Sequence, residues 1–259
     1  MLLLKLFLSP ALVVSSTLAG RRWGPEIAGI LVGLPVVAGP ILFITHLQHG
    51  ADFTSRAAAS SLLGLVSIAV FAVVFSHVAG HFGWLITLLA SWAAVLLSDF
   101  ALSLVDVTGP AALACTLAAA TVAIVLMPEA EPERFDERGQ SSPSWDLPGR
   151  ALATGTLVIT VTTVSGALGP SWTGLLAPFP IAISVVVAFS HAQSGPAAAI
   201  RTLTGALTSL FSFAPFCLLL SALVRPVGGA AFVLSAAAAV AVQLLVVRVR
   251  RALPLRRTT

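Results

Sequence analysis

The chain has 259 residues, of which 58% are hydrophobic and only 9% charged; 14 Lys and Arg face 10 Asp and Glu, for a net charge of +4. Soluble domains run roughly 45–50% apolar and about 25% charged, and this little charge cannot cover a globule in water. A secreted domain, a cytosolic enzyme and a nucleic-acid binder are excluded, and an all-α polytopic integral membrane protein is expected.

A crossing helix needs about 20 mainly apolar residues. Nine stretches meet that need: 3–20, 26–46, 56–78, 82–104, 108–127, 150–167, 171–191, 199–223 and 227–247. The first imitates a secretory leader, with Lys5, an apolar core and small residues before Gly20, but it is read as a retained helix because the repeat below includes it. The second is interrupted by Gly33-Leu34-Pro35 and Gly39-Pro40, and closes on His46, Gln48 and Gly50. The third opens at Arg56. Residues 82–127 as one helix would measure about 69 Å, so Asp99, Asp106 and Gly109-Pro110 are taken to divide it. Residues 128–149 hold Glu129, Glu131, Glu133, Asp136, Glu137 and Asp146 among four prolines, and read as a solvated linker. The sixth stretch carries a stripe of Thr156, Thr160 and Thr163, which reads as helix packing, with the lining of a water-filled path as the alternative. Pro178 and Pro180 interrupt the seventh, which closes on His191, Gln193 and Gly195, and Arg201 opens the eighth. Five arginines in the last twelve residues read as a cytoplasmic tail at an anionic leaflet.

The chain overlays itself at a shift of 145 residues without a gap. Gly24-Pro25 falls on Gly169-Pro170, Pro35 on Pro180, His46 on His191, Gln48 on Gln193, Gly50 on Gly195, Arg56 on Arg201 and Ser67 on Ser212. Rare polar residues match, not only Leu and Ala, which points to an internal duplication. Residues 1–105 form a first four-helix repeat, 106–149 a linker helix with an acidic Pro-rich loop, and 150–259 a second four-helix repeat with a basic tail. An unpaired fifth helix inverts the second half relative to the first, the plan of many transporters. With nine spans, eleven basic residues lie on the C-terminal side and three (Lys5, Arg56 and Arg225) on the other, so the C-terminus is expected inside and the N-terminus outside. Parallel halves give the same ratio, so charge does not decide inversion.

The second half, at Gly174-Leu175-Leu176-Ala177-Pro178-Phe179-Pro180 and on through Arg201 and Leu210-Phe211-Ser212-Phe213-Ala214-Pro215-Phe216, resembles the GlpM-like small membrane proteins. The first half keeps Gly29, Leu34-Pro35 and Arg56, with Val70 in the place of Pro215. The resemblance implies two such units fused through an extra helix, and implies little about activity.

The broken second helix of each half is the leading candidate for a substrate site. A mid-helix proline removes a hydrogen bond, and the carbonyl it frees needs a partner at depth. Pro35, Gly33, Gly39, Pro178 and Pro180 are the candidates there, against a packing kink as the plainer reading. His46, Gln48, His191 and Gln193 are substrate-binding candidates at the helix ends, where a cap and turn is the plainer reading. Arg56 and Arg201 are candidates for anion contact, with snorkelling to phosphates as the alternative. Asp99 is the candidate proton-coupling group, although position 244, its partner at the 145 shift, is Leu. Cys115 and Cys217 lack metal spacing, and His77 with His81 is too small a set. No metal, cofactor, nucleic acid or catalytic nucleophile is expected. The function expected is transport of a small-molecule or lipid-linked substrate across a bacterial-type inner membrane. The alternative is a non-catalytic accessory subunit holding other membrane proteins of the cell envelope.

Overall fold

The computed structural model describes residues 2–35, 38–104, 108–130, 143–168 and 179–252. All the regular structure among them is helical: α1 (Leu2–Trp23), α2 (Pro25–Gly33), α3 (Ala38–Ala79), α4 (Trp84–Ser103), α5 (Gly109–Leu126), α6 (Asp146–Leu168), α7 (Ile181–Val227) and α8 (Ala230–Ala252). Five of them are long and apolar enough to cross a membrane: His46–Ala79, Trp84–Leu102, Gly109–Leu126, Ile181–Val227 and Ala230–Val249. The chain therefore has the make-up of an integral membrane protein.

Local sequence explains the boundaries. Gly24, at φ 100°, turns the chain between α1 and α2, and Pro25 starts α2 where its missing N–H costs nothing. Leu34 is extended (φ −73°, ψ 154°) because the residue before a proline avoids helical geometry, so α2 stops ahead of Pro35. Thr108 and Gly109-Pro110 open α5 in the same manner. The division expected between residues 82 and 127 thus falls between Ser103 and Gly109; Asp106 lies outside the described residues.

α3 has 42 residues and α7 has 47, about 63 and 70 Å if straight. Neither is straight. Each has one non-helical residue, Gly50 (φ 78°, ψ −178°) and Gly195 (φ 81°, ψ 178°). Only glycine occupies this region freely, and the two stand 145 residues apart. The chain reverses at each. Before Gly50, Gly29 lies against Thr202, Gly33 against Ser209 and Gly39 against Phe216, so α2 and the start of α3 run parallel to α7. After it, Asp52 pairs with Arg225 at 2.9 Å, the Ser55 hydroxyl donates to the Ser221 carbonyl at 2.7 Å, and Phe75 meets His191 at 5.9 Å between ring centroids. Numbers now rise on α3 as they fall on α7. Ahead of Gly195, Trp92 Nε1 donates to Ser184 Oγ at 2.9 Å and His191 reaches Ala79, so this segment approaches the Ala79 end before α7 turns back.

The core lies between the long limbs of α3 and α7, around Leu62, Phe71, Phe75, Leu203, Leu207, Leu210 and Leu220. α4 packs on α3 as a hairpin, α8 on α7 likewise, α1 on α6, and α5 on both α3 and α7. α2 presses on α7 through glycines. A Cβ at Gly29 would overlap the Thr202 carbonyl, and one at Gly205 the Glu26 carbonyl. Small residues at such a crossing bring two backbones together.

Candidate functional site

Three features meet halfway along the bundle. Ser67 lies twelve residues after Ser55, and Ser209 twelve before Ser221, so the Ser55–Ser221 contact sets Ser67 and Ser209 at one level. Gly33 sits against Ser209, which brings the break after α2 to that level too. Pro35 stands in this break, half-buried, its carbonyl accepting from the Gly39 N–H at 2.9 Å.

Polar side chains gather here. The Ser67 hydroxyl donates to the Asp99 carboxylate, and Ser212 Oγ lies 2.9 Å from Gln243 Oε1. Asp99 is 5% exposed and Gln243 8%. The serines are 145 residues apart and their partners 144. The buried faces of α4 and α8 explain the difference: Thr87, Ser91, Val95 and Asp99 form one four-residue ladder, and Ala231, Ser235, Ala239 and Gln243 form the other. At a shift of 144 the ladders superpose, with Ser91 on Ser235. Asp99 therefore has a structural counterpart, which is Gln243 and not Leu244. Asp99 stands four residues before the end of α4, and its partner Ser67 is ten residues from His77 and eleven from Arg56, about 15 Å or more along α3.

Buried polar atoms are normally paired. Among the described residues, five buried side-chain atoms have no hydrogen-bond partner: His46 Nδ1, His191 Nδ1, Asp99 Oδ2, Gln243 Nε2 and Ser235 Oγ. Four of these form two pairs of equivalent positions, so the gaps follow the architecture. His46 lies by Phe232 (5.8 Å between centroids) near the Gly50 reversal, and His191 by Phe75 near the Gly195 reversal.

A second cluster joins α1, α6 and α7. Asp146 is fully buried, with Oδ2 accepting from Arg21 Nη2 at 2.5 Å and Oδ1 from Arg150 Nε at 2.9 Å and Gln193 Nε2 at 2.5 Å. Arg150 also donates to the Val186 carbonyl at 3.3 Å and lies over the Phe189 ring at 4.9 Å. Burial pushes the Asp146 carboxyl up, but hydrogen bonds from Gln193 and Arg150, the Arg150 charge and the Arg21 bond outweigh it and hold it below its ordinary value. The expectation that Asp146 belongs to a solvated linker is thus corrected: it stands in the first turn of α6, where the helix dipole favours a negative charge. Residues 131–142 of that linker lie outside the described set.

The remaining candidates separate. Gln48 and Arg56 are exposed, away from the central level, and Gln193 belongs to the Asp146 cluster. Arg201 is half-buried on α7, and Gly39 makes ordinary contact with Phe216. Pro180 is buried and precedes α7 as its N-cap, while Pro178 lies outside the described residues. Thr156, Thr160 and Thr163 are exposed, so they neither pack against a neighbour nor line an interior path. His77 and His81 bond to carbonyls one turn back, at 2.8 and 3.1 Å. Among the described residues no group of three His, Cys, Asp or Glu is placed to hold a metal. Sequence reasoning missed Gln243 and Asp146; the four-residue ladder of α8 and the Asp146–Arg150 spacing were the available signals. No protein-family profile, curated protein or solved structure matches this chain.

Proposed function

We propose that the chain is an inner-membrane transporter for a small-molecule or lipid-linked substrate, made of two inverted four-helix halves, with a site at mid-depth between them. The observation that carries this reading is the convergence at one level of the Pro35 break, Ser67 with Asp99, and Ser212 with Gln243, leaving buried polar atoms unpartnered. Breaks meeting polar groups at the midplane are where inverted-repeat transporters bind substrate. Alternating access then takes the form of one half rocking against the other.

The reversals at Gly50 and Gly195 support nine crossings, because each long helix becomes two limbs. The Arg21–Asp146 pair supports inversion. Four crossings between these residues put both on one side, whereas a fifth helix lying flat would leave three and part them. This fits a duplication of the GlpM-like unit, with the C-terminus inside and the N-terminus outside. Asp52 and Arg225 pair near the Gly50 reversal, on the opposite face in this topology.

A comparison of metabolite and lipid pools in a deletion strain tests the reading. Wild type should restore the altered pool, and Pro35→Ala, which lets helix run through the break, should not. Unchanged pools on deletion, or full restoration by a normally inserted Pro35→Ala, would defeat it. The accessory reading draws on the backbone-to-backbone contact of Gly29 and Gly205 with α7 and α2, a rigid seam suited to a scaffold. Stoichiometric co-purification of another membrane protein, with pools unchanged, would favour it.

A further inference from the structure

We infer that Asp99 is a proton-exchange site, taking up and releasing a proton inside the bundle. Three observations lead there. First, the carboxyl is 5% exposed at the central level and receives a single bond, from Ser67, while Oδ2 has no partner among the described residues. A carboxylate accepts at both oxygens, so one bond leaves the ionised form poorly compensated at this depth.

Second, among the described residues of the elements packed on α4, no countercharge stands at that level. α4 packs on α3 and α7. The titratable and charged residues of α3 are His46, His49, Asp52, Arg56 and His77, and those of α7 are His191, Arg201, Cys217 and Arg225. Those on α3 lie ten or more residues from Ser67. On α7, Arg201 is eight residues from Ser209 on one side and Arg225 sixteen on the other; Cys217 is a buried thiol, not a cation. Within α4, Asp99 is the only titratable residue.

Third, the molecule contains its own comparison. Gln243 occupies the equivalent place on α8, set against Ser212 as Asp99 is set against Ser67. A primary amide has the shape of a carboxylic acid that has kept its proton. The second half thus holds a permanently neutral group where the first holds one that can be neutral or charged. Uptake adds a proton from water to the carboxylate; release returns it to water, with no other bond made or broken. The carboxylate, not the amide, gives the cycle a step that depends on proton concentration. Use of that proton in transport rests on the reading above; its binding does not.

The test is infrared difference spectroscopy of the purified full-length protein in phosphatidylcholine liposomes, titrated between about pH 5 and 8, in sodium and in choline buffers. A protonated-carboxyl C=O band that rises as pH falls is expected, equal in both buffers. It should vanish in Asp99→Asn and persist in Asp52→Asn, whose native carboxylate is exposed beside Arg225. An unchanged titration in Asp99→Asn overturns the inference, and so does a band constant across the range. A band suppressed by sodium also overturns it, pointing to a metal-ion site. Should Asp99→Asn fail to fold, Asp99→Glu with ¹³C-aspartate decides: the band must lose its isotope shift in the variant, and retaining it refutes the assignment. A titrating Asp99 with unchanged pools in the deletion strain would sink the transport reading alone; altered pools with a silent Asp99 would sink only this inference.

Discussion

Replacing Gly50 or Gly195 with alanine isolates what the reversals contribute. At φ 78° and 81° with ψ near 180°, a side chain sits in a region essentially reserved for glycine. Nothing lies within 4 Å of a Cβ built at either position, so the penalty is backbone strain and not a clash. Such strain is worth about 1–3 kcal/mol. Loss of glycine's freedom in the unfolded chain returns about 0.4–1 kcal/mol. A net destabilisation of roughly 1–2 kcal/mol is expected for each, a factor of about 5–30 in the unfolding equilibrium. The reversals lie at opposite ends of the long helices with no shared partner, so the double variant should be additive to within about 0.5 kcal/mol. Reversible unfolding in mixed micelles, followed by circular dichroism, measures all three. A neutral result at either glycine would mean that the chain does not turn there in this conformation, and the two-limb account of α3 and α7 would fall.

Four further outcomes are expected. Gly205→Ala should destabilise by about 1–3 kcal/mol through overpacking on the Glu26 carbonyl, more than an alanine on the lipid side of α8, by the same unfolding assay. Asp146→Ala should remove about 3 kcal/mol, the low end for a broken buried pair because Arg21 is partly exposed. The pH sign follows from the depressed Asp146 carboxyl: its contribution is complete above the unfolded value of about 3.9 and is lost as pH falls through the lower folded value, so acid unfolding of Asp146→Ala should lack that loss. Gln243→Leu should leave stability unchanged or raise it, since it removes a buried amide whose Nε2 has no partner among the described residues, while Ser212 keeps its bond to the Ser209 carbonyl, yet it should abolish restoration of the pool in the deletion strain. Reporters fused after residues 105 and 130 should lie on opposite sides of the membrane; same-side signals would refute inversion.

Much of the architecture was readable because it is periodic. Membrane class follows from composition, and the 145-residue shift pairs Gly50 with Gly195, the two residues at which the long helices leave helical geometry. The sites were harder. Asp146 was hidden by its surroundings: in an acidic, proline-rich stretch it looks like its neighbours, and only folding brings Arg21 from 125 residues away. Gln243 was hidden by register, since a one-residue slip between α4 and α8 set Leu244 opposite Asp99. Gln48 and Arg56 misled for the opposite reason. Matching positions survive in both halves whether or not the side chain faces inward, so repetition alone cannot separate a binding residue from a surface one.

Outside the central packing of α2 and α3 on α7, two further contacts differ in chemistry. α5 is fastened to α3 by apolar contacts and one hydroxyl bond, Thr116 Oγ1 to the Leu62 carbonyl at 2.7 Å, and lies on α7 as well. α1 is fastened to α6 by the Arg21–Asp146 charge pair. Acid acts on the second fastening, through the Asp146 carboxyl, and leaves the first alone. Acidity therefore loosens one of these contacts and not the other, so the response of the bundle to its surroundings is uneven along its length.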